Sequence, residues 1–263
     1  METELYDRLL DRLGGMKAVA VAFSGGSDST LLLAAARQAL GERVLALTAV
    51  TPYMGRQEIA DAFALTSSFG VRHELAELDM PQGIETNPRE RCYLCKRALY
   101  ERLIAAGEQA GFARVLDGSN HDDLSDFRPG LRALRELKIE SPLLELKFTK
   151  GDVRRISRRL GLPTWNKPTN ACLLTRLPIG TKISMDDLQL VEEAERVLRG
   201  RGYDWVRVRM HGRLARIEDA PAQRLRLLED ADEVSSTLQE LGFRHVAMDL
   251  LGYRLGSMNP TKD

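Results

Sequence analysis

Val19-Ala-Val-Ala-Phe23 runs straight into Ser24-Gly25-Gly26-Ser27-Asp28-Ser29, and Thr30-Leu-Leu-Leu33 follows. Lys17 to Phe23, which takes in this short apolar run, reads as a buried strand, and Ser27 to Leu40 reads as a helix. Two glycines between them permit a sharp turn, so that several backbone N–H groups and the helix N-terminus converge on one anionic group. Ser24, Ser27 and Ser29 add hydroxyl donors, and Asp28 is placed to help hold a hydrated Mg²⁺. Gly-Gly-Ser alone also suits an ordinary turn with a serine-capped helix. The full six-residue string, set between a buried strand and an apolar helix, favours a phosphate cradle. It lacks the Gly-Lys-Ser/Thr ending of a Walker loop, so cleavage at the γ-phosphate is not the expected chemistry.

Outward from this turn the pattern repeats. Arg43 to Val50 and Val71 to Leu78 read as strands, Arg56 to Phe69 as a helix, Arg89 to Ala110 as a segment of helical spacing, and Arg114 to Asp117 as a short buried strand. Such alternation predicts an α/β fold, a parallel sheet wound with helices. Right-handed crossovers place the Arg114 strand on the far side of the first, which opens a ligand crevice at the carboxyl ends of the central strands. Gly118-Ser119-Asn120-His121-Asp122-Asp123 then supplies a second wall, with Gly118 at the nucleotide, although the string also reads as a plain Gly/Asn/Asp turn. Thr149 and Asp152 are spaced as a capping pair for a helix to Leu160.

Pro163 to Gly180 holds three of the ten prolines and reads as a structured connection to a second, small α+β domain. There the expected order is a helix (Ser184 to Arg201), strands at Trp205 to Met210 and Leu214 to Glu218, two short helices, and a strand at His245 to Leu251. The boundaries are 1–165 for a nucleotide domain and 166–263 for a substrate and oligomerisation domain.

The chain has 263 residues, 43% hydrophobic and 29% charged, enough for one large domain or two smaller ones. Basic and acidic side chains balance at 38 each, so no whole-molecule field recruits nucleic acid. Met1 to Leu13 mixes acids and arginine among its apolar positions, unlike a signal or transit peptide. No apolar run is long enough to span a bilayer. Three cysteines, an odd number, point to thiols used as thiols in a reducing compartment, here the cytoplasm.

Cys92 and Cys95 share one face if their segment is helical, and both then reach a single metal or cluster. A redox pair and two half-buried thiols are the other readings, although no thioredoxin-like strand precedes the pair. No histidine stands in zinc-ligand spacing beside them. Three thiolates with Cys172, far away in sequence, suit a 4Fe-4S cluster whose open iron takes hydrosulfide. Lys96, Arg97 and Arg176 favour thiolate or are solvated charges. Between Trp205 and Glu218 apolar and basic residues alternate, so Arg207 and Arg209 point the same way, either to clamp a phosphate monoester or as a solvated strand face.

Ser24 to Ser29 resembles the PP-loop of the adenine nucleotide alpha-hydrolase superfamily, whose members bind the β and γ phosphates and transfer AMP to a carboxylate or carbonyl oxygen. Arg114-Val-Leu-Asp-Gly-Ser-Asn-His-Asp-Asp-Leu-Ser-Asp-Phe-Arg-Pro-Gly130, Ser141-Pro-Leu143, Pro163-Thr-Trp-Asn-Lys-Pro168 and Ala171-Cys-Leu-Leu-Thr-Arg-Leu-Pro-Ile-Gly-Thr-Lys182 together resemble the LarE family of sulfur transferases. That resemblance implies ATP-dependent adenylation of pyridinium-3,5-biscarboxylic acid mononucleotide, release of pyrophosphate, and replacement of the activated oxygen by sulfur. The product is a precursor of the nickel-pincer nucleotide cofactor of lactate racemase.

The resemblance also implies that Arg207 and Arg209 bind the substrate phosphate, with Arg176 nearby and Glu195 and Glu218 as polar partners. In family members with one cysteine, the thiol matching Cys172 attacks the adenylate and is eliminated, leaving dehydroalanine. Cys92 and Cys95 depart from that pattern and match members that carry a 4Fe-4S cluster on three cysteines, so sulfide from an external source is the expected donor. A homo-oligomer, with a hexamer as one form, is implied; nucleic acid and membrane are not. The rivals are a cluster-dependent tRNA thiolase, which the neutral charge balance disfavours, and a nucleotide-binding sensor without chemistry.

Overall fold

The structure, a computed structural model, describes residues 2–124, 129–167, 171–254 and 257–258. It divides into two compact units, Met1–Gln82 with Glu90–Asn170, and Gly83–Arg89 with Ala171–Asp263. One quoted string runs through 125–128 and another ends at 168, positions outside the described residues.

In the first unit, α1 (Glu2–Gly14) precedes β1 (Val19–Ala22), α2 (Ser27–Leu40), β2 (Val44–Val50), α3 (Arg56–Ser68) and β3 (Arg72–Glu77). Then come α4 (Arg91–Gln109), β4 (Val115–Leu116), α5 (Gly130–Glu136), α6 (Pro142–Glu145) and α7 (Lys150–Arg159). The sheet order is β3-β2-β1-β4, and every pairing is parallel. β1 is apolar throughout and β2 is apolar except for Thr48, because both their faces are covered. Val19, Val21, Val44 and Ala46 join the core that includes α2 and α7, whereas Ala20, Leu45 and Leu47 join the one that includes α4 and α5. Each fully buried Val or Leu side chain contributes roughly 1.5–3 kcal/mol. β1 is flanked by β2 and β4, so the strand order reverses beside it, as the crossover argument requires. The Thr149/Asp152 capping box forms. Helices α1, α5 and α6 lie outside the sequence expectations.

The second unit holds α8 (Met185–Gly200), β5 (Arg207–His211), β6 (Leu214–Glu218), α9 (Arg224–Glu229), α10 (Ala231–Leu241) and β7 (His245–Met248). β5 and β6 pair antiparallel, and β6 and β7 pair parallel. A detour of the chain, Gly83–Arg89, belongs to this unit. Fully buried Asn87 fastens it: its side-chain amide reaches the carbonyls of Leu174 (3.3 Å), Leu177 (3.1 Å) and Pro178 (2.9 Å). Its own carbonyl accepts from Gly180 N–H at 3.1 Å.

Candidate active site

The glycine turn forms directly on the carboxyl end of β1. Gly25 takes φ +66°, a conformation that side chains with a Cβ rarely adopt. Gly26 is the N-cap of α2 and has no side chain to satisfy the first-turn N–H groups, which are left to a ligand or water. Ser29 braces the turn from inside: its Oγ accepts from Ser24 N–H at 3.3 Å and donates to the Gly26 carbonyl at 3.2 Å. Gly118, at the end of β4, backs onto it, and a Cβ there would sit 3.1 Å from Ser29 N. The second wall is therefore in contact with the turn.

Asp28 is held from that wall. Asn120 Nδ2 donates to Asp28 Oδ1 at 3.0 Å, and Lys150 Nζ pairs with the other carboxylate oxygen while donating to Ser27 Oγ at 2.8 Å. Sequence reading missed Lys150. Its only local signal is its place just after the cap residue Thr149. Lys150 N–H donates to Asp122 Oδ2 at 2.9 Å, and His121 N–H to the Phe148 carbonyl at 2.7 Å, so two loops present this ammonium to the turn.

Cys92 and Cys95 lie on α4, one turn apart, and none of the three cysteines forms a disulfide with another. The Tyr53 hydroxyl is in hydrogen-bond contact with Cys95 Sγ at 3.0 Å. Burial pushes the Cys95 thiol above its ordinary pKa; the Tyr53 contact opposes this, Cys92 adds to it, and the Lys96 ammonium opposes it. Lys96 also reaches Asp117, the residue before Gly118, at 3.4 Å. Burial acts to raise Asp117, but Lys96, Ser119 and Tyr100 outweigh it and hold the carboxyl below its usual range.

Cys172 belongs to the second unit and is the N-cap of a 3-10 turn, Leu173–Arg176. Arg176 is 1% exposed and makes a two-pronged contact with fully buried Glu195, at 2.8 and 3.1 Å. Its remaining nitrogen donates to the carbonyls of Ala171 (2.5 Å) and Cys172 (3.3 Å), so the guanidinium holds the cysteine turn. Burial acts to raise Glu195; Arg176 foremost, then Arg207 and Arg199, hold it below the carboxylate range. Arg209 pairs with Glu218 (2.8 Å) and donates to the Thr175 carbonyl (2.9 Å). Arg207 packs over the Tyr253 ring, and burial, followed by the charge of Arg176, lowers its pKa.

The structure thus brings Arg176, Glu195, Arg207, Arg209 and Glu218 into one buried layer of the second unit, and Ser24 to Ser29 with Gly118 into one locus of the first. Among the described residues no group of three or more His, Cys, Asp or Glu is arranged to hold a metal ion. No described helix is long and apolar enough to cross a membrane.

A parallel sheet carrying an uncapped glycine turn beside its order reversal, with a second wall packed on that turn, defines a PP-loop α/β protein. The chain is 41% identical over 98% of both lengths to the uncharacterized protein slr1717 of Synechocystis sp., and 34% identical to the uncharacterized protein MJ0830 of Methanocaldococcus jannaschii, over 90% of this chain and 91% of that one. It is 39% identical to the pyridinium-3,5-bisthiocarboxylic acid mononucleotide synthase of Lactiplantibacillus plantarum, over 96% of this chain and 93% of the relative, and so belongs to that synthase family, the LarE family. No family model matches it.

Proposed function

We propose that this protein is an ATP-dependent sulfur transferase that converts the carboxylates of pyridinium-3,5-biscarboxylic acid mononucleotide to thiocarboxylates for nickel-pincer nucleotide biosynthesis. The observation that carries the ATP step is the open N-terminus of α2 with Lys150 and Asp28 at its edge; the named synthase relative supports the substrate. A carboxylate resists attack by sulfide because two anions meet and oxide is a poor leaving group. In the first step a substrate carboxylate oxygen attacks the α-phosphorus, the bond to the β-phosphate oxygen breaks, and pyrophosphate leaves. Sulfur then attacks the acyl carbon, and AMP departs with the oxygen.

The amides of the turn and the Lys150 ammonium stabilise charge gathering on pyrophosphate. Asp28, a single carboxylate at the loop edge, fits a Mg²⁺ that keeps most of its water shell. In this reading Arg207 and Arg209 meet the substrate phosphate, while Arg176 positions Cys172. The free thiols of Cys92 and Cys95, one helical turn apart, fit soft-ligand chemistry; with Cys172 they would hold a 4Fe-4S cluster, which when bound offers an iron site for hydrosulfide. Thiols outside disulfides suit a reducing compartment, so the proposed setting is the cytoplasm. The family resemblance supports a homo-oligomer.

The test is anaerobic incubation with MgATP, the biscarboxylic substrate and sulfide, after assay of bound iron and sulfide. Expected are AMP, pyrophosphate and thiocarboxylate, more than one product per chain, and an unchanged polypeptide mass. A loss of about 34 Da at Cys172 would instead assign the sulfur to that residue. Absence of substrate-dependent pyrophosphate would overturn the reading.

A further inference from the structure

Beneath the glycine turn a second polar chain crosses three elements of the first unit. Thr66 Oγ1, on α3, lies 3.1 Å from His73 Nδ1, on β3. His73 Nε2 lies 2.8 Å from Thr48 Oγ1, on β2. The Thr48 hydroxyl donates to the Phe23 carbonyl at 2.7 Å. The Phe23 ring stands edge-on to the imidazole, with centroids 6.3 Å apart.

Counting protons fixes the direction of the chain. A carbonyl only accepts, so the single Thr48 proton goes to Phe23, and Thr48 Oγ1 must accept from His73. Nε2 therefore carries a hydrogen. Burial lowers the His73 pKa and favours the neutral ring, and no charged side chain contributes to that shift; what faces the ring is Thr48, Thr66, Phe23 and Phe63. Nδ1 is then an acceptor, and the one Thr66 proton is shared among it and the carbonyls of Ala62 (3.1 Å) and Phe63 (2.9 Å). Both carbonyls keep their helical N–H partners whichever way that proton turns. From His73 onward the hydrogen bonds point toward Phe23, an arrangement in which neighbouring bonds polarise one another.

The place where the chain ends matters most. The β1–β2 register stops at Ala22 and Leu47, and Phe23 N–H makes one last bond, to the Leu47 carbonyl. Phe23 is the last residue before Ser24, so its carbonyl sets the peptide plane from which the turn departs. On the other side, Ala62, one helical turn before Thr66, is the nearest neighbour of Gly25, with a Cβ at Gly25 falling 3.5 Å from Ala62 Cα. The polar chain thus spans both supports of the turn.

We propose that His73 is a positioning residue for the triphosphate turn, acting through Thr48 on the Phe23 carbonyl to fix the direction of the amides that follow. The assignment rests on the ATP-binding reading above and deepens it. It concerns a strand that carries no motif residue.

The test compares MgATP affinity, by titration calorimetry, with thermal stability for the full chain. Thr48→Val and His73→Phe are expected to weaken MgATP binding about tenfold, near the upper value of one hydrogen bond. Thr48→Ser keeps the hydroxyl, and His73→Gln keeps an N–H close to Nε2; both are expected to stay within about threefold of wild type. A role in stability alone would lower the melting temperature of Thr48→Val and leave affinity unchanged well below that temperature. Folded Thr48→Val and His73→Phe proteins with wild-type affinity overturn the assignment while the ATP reading stands. If His73→Phe does not fold, the Val and Ser variants at Thr48 decide alone. No binding by the wild-type chain removes both readings.

Discussion

The two polar centres of this molecule handle charge in opposite ways. In the first unit the turn from Ser24 to Ser29 leaves backbone donors open, and its ion pair among the described residues, Asp28 with Lys150, is about three-quarters buried on each side. In the second unit Arg176 and Arg209 meet Glu195 and Glu218 in a layer where each of the four is less than 5% exposed. The open donors of the first unit suit the polyanion proposed above, whereas Arg176 is committed to Glu195, and Arg209 would meet a substrate phosphate with Glu218 still beside it. The second arrangement is costly to desolvate, so losing one member leaves a stranded charge.

The sharpest way to break this contrast is Glu195→Ala. It strands Arg176, and urea unfolding is expected to show a loss of about 3–5 kcal/mol. Gly118→Ala probes the first unit instead. Its Cβ would press on the Ser29 backbone, so stability should fall by about 1–3 kcal/mol and MgATP affinity by at least about tenfold in calorimetry.

Lys150→Met should separate binding from stability. Pyrophosphate and MgATP affinity are expected to drop about five- to tenfold, while unfolding changes by less than about 1 kcal/mol, because the pair is partly solvated. Wild-type affinity in this variant would show that the ammonium serves the fold alone.

The smallest expected effect is on pH dependence. Burial lowers the pKa of His73 in the first unit; burial, then Arg216, lowers that of His211 in the second. The unfolded chain then binds protons more readily than the folded one, so stability is full above the ordinary value near 6.5 and declines as pH falls from there to the folded values. His73→Gln and His211→Gln should each flatten part of that decline in urea midpoints measured between pH 7.5 and 5.5. Profiles parallel to wild type would deny the burial argument.

The nucleotide turn is legible in the sequence because its contacts are local. Ser24 and Ser29 are five apart, and the strand and helix around them follow from apolar period and glycine placement. Arg207 and Arg209 are legible as a pair on one strand face, and the family resemblance names Glu218 as a polar partner; that it pairs with Arg209 in particular, diagonally across β5 and β6, comes from the strand register. Asn87 carried a weak signal, an asparagine before proline, that does not foretell its binding to three carbonyls about 90 residues on. His73 gave none: a histidine in an edge strand is silent until two threonines from other elements close on it.

Local chemistry determined the order of strands and helices, the glycine turn at its carboxyl edge, and the thiols and guanidinium groups available for a reaction. Packing decided which of those groups is engaged. Lys150 meets Asp28 across 122 residues and Glu195 meets Arg176 across 19. Such pairs form only when burial brings distant segments together in a medium where an unpaired charge cannot remain.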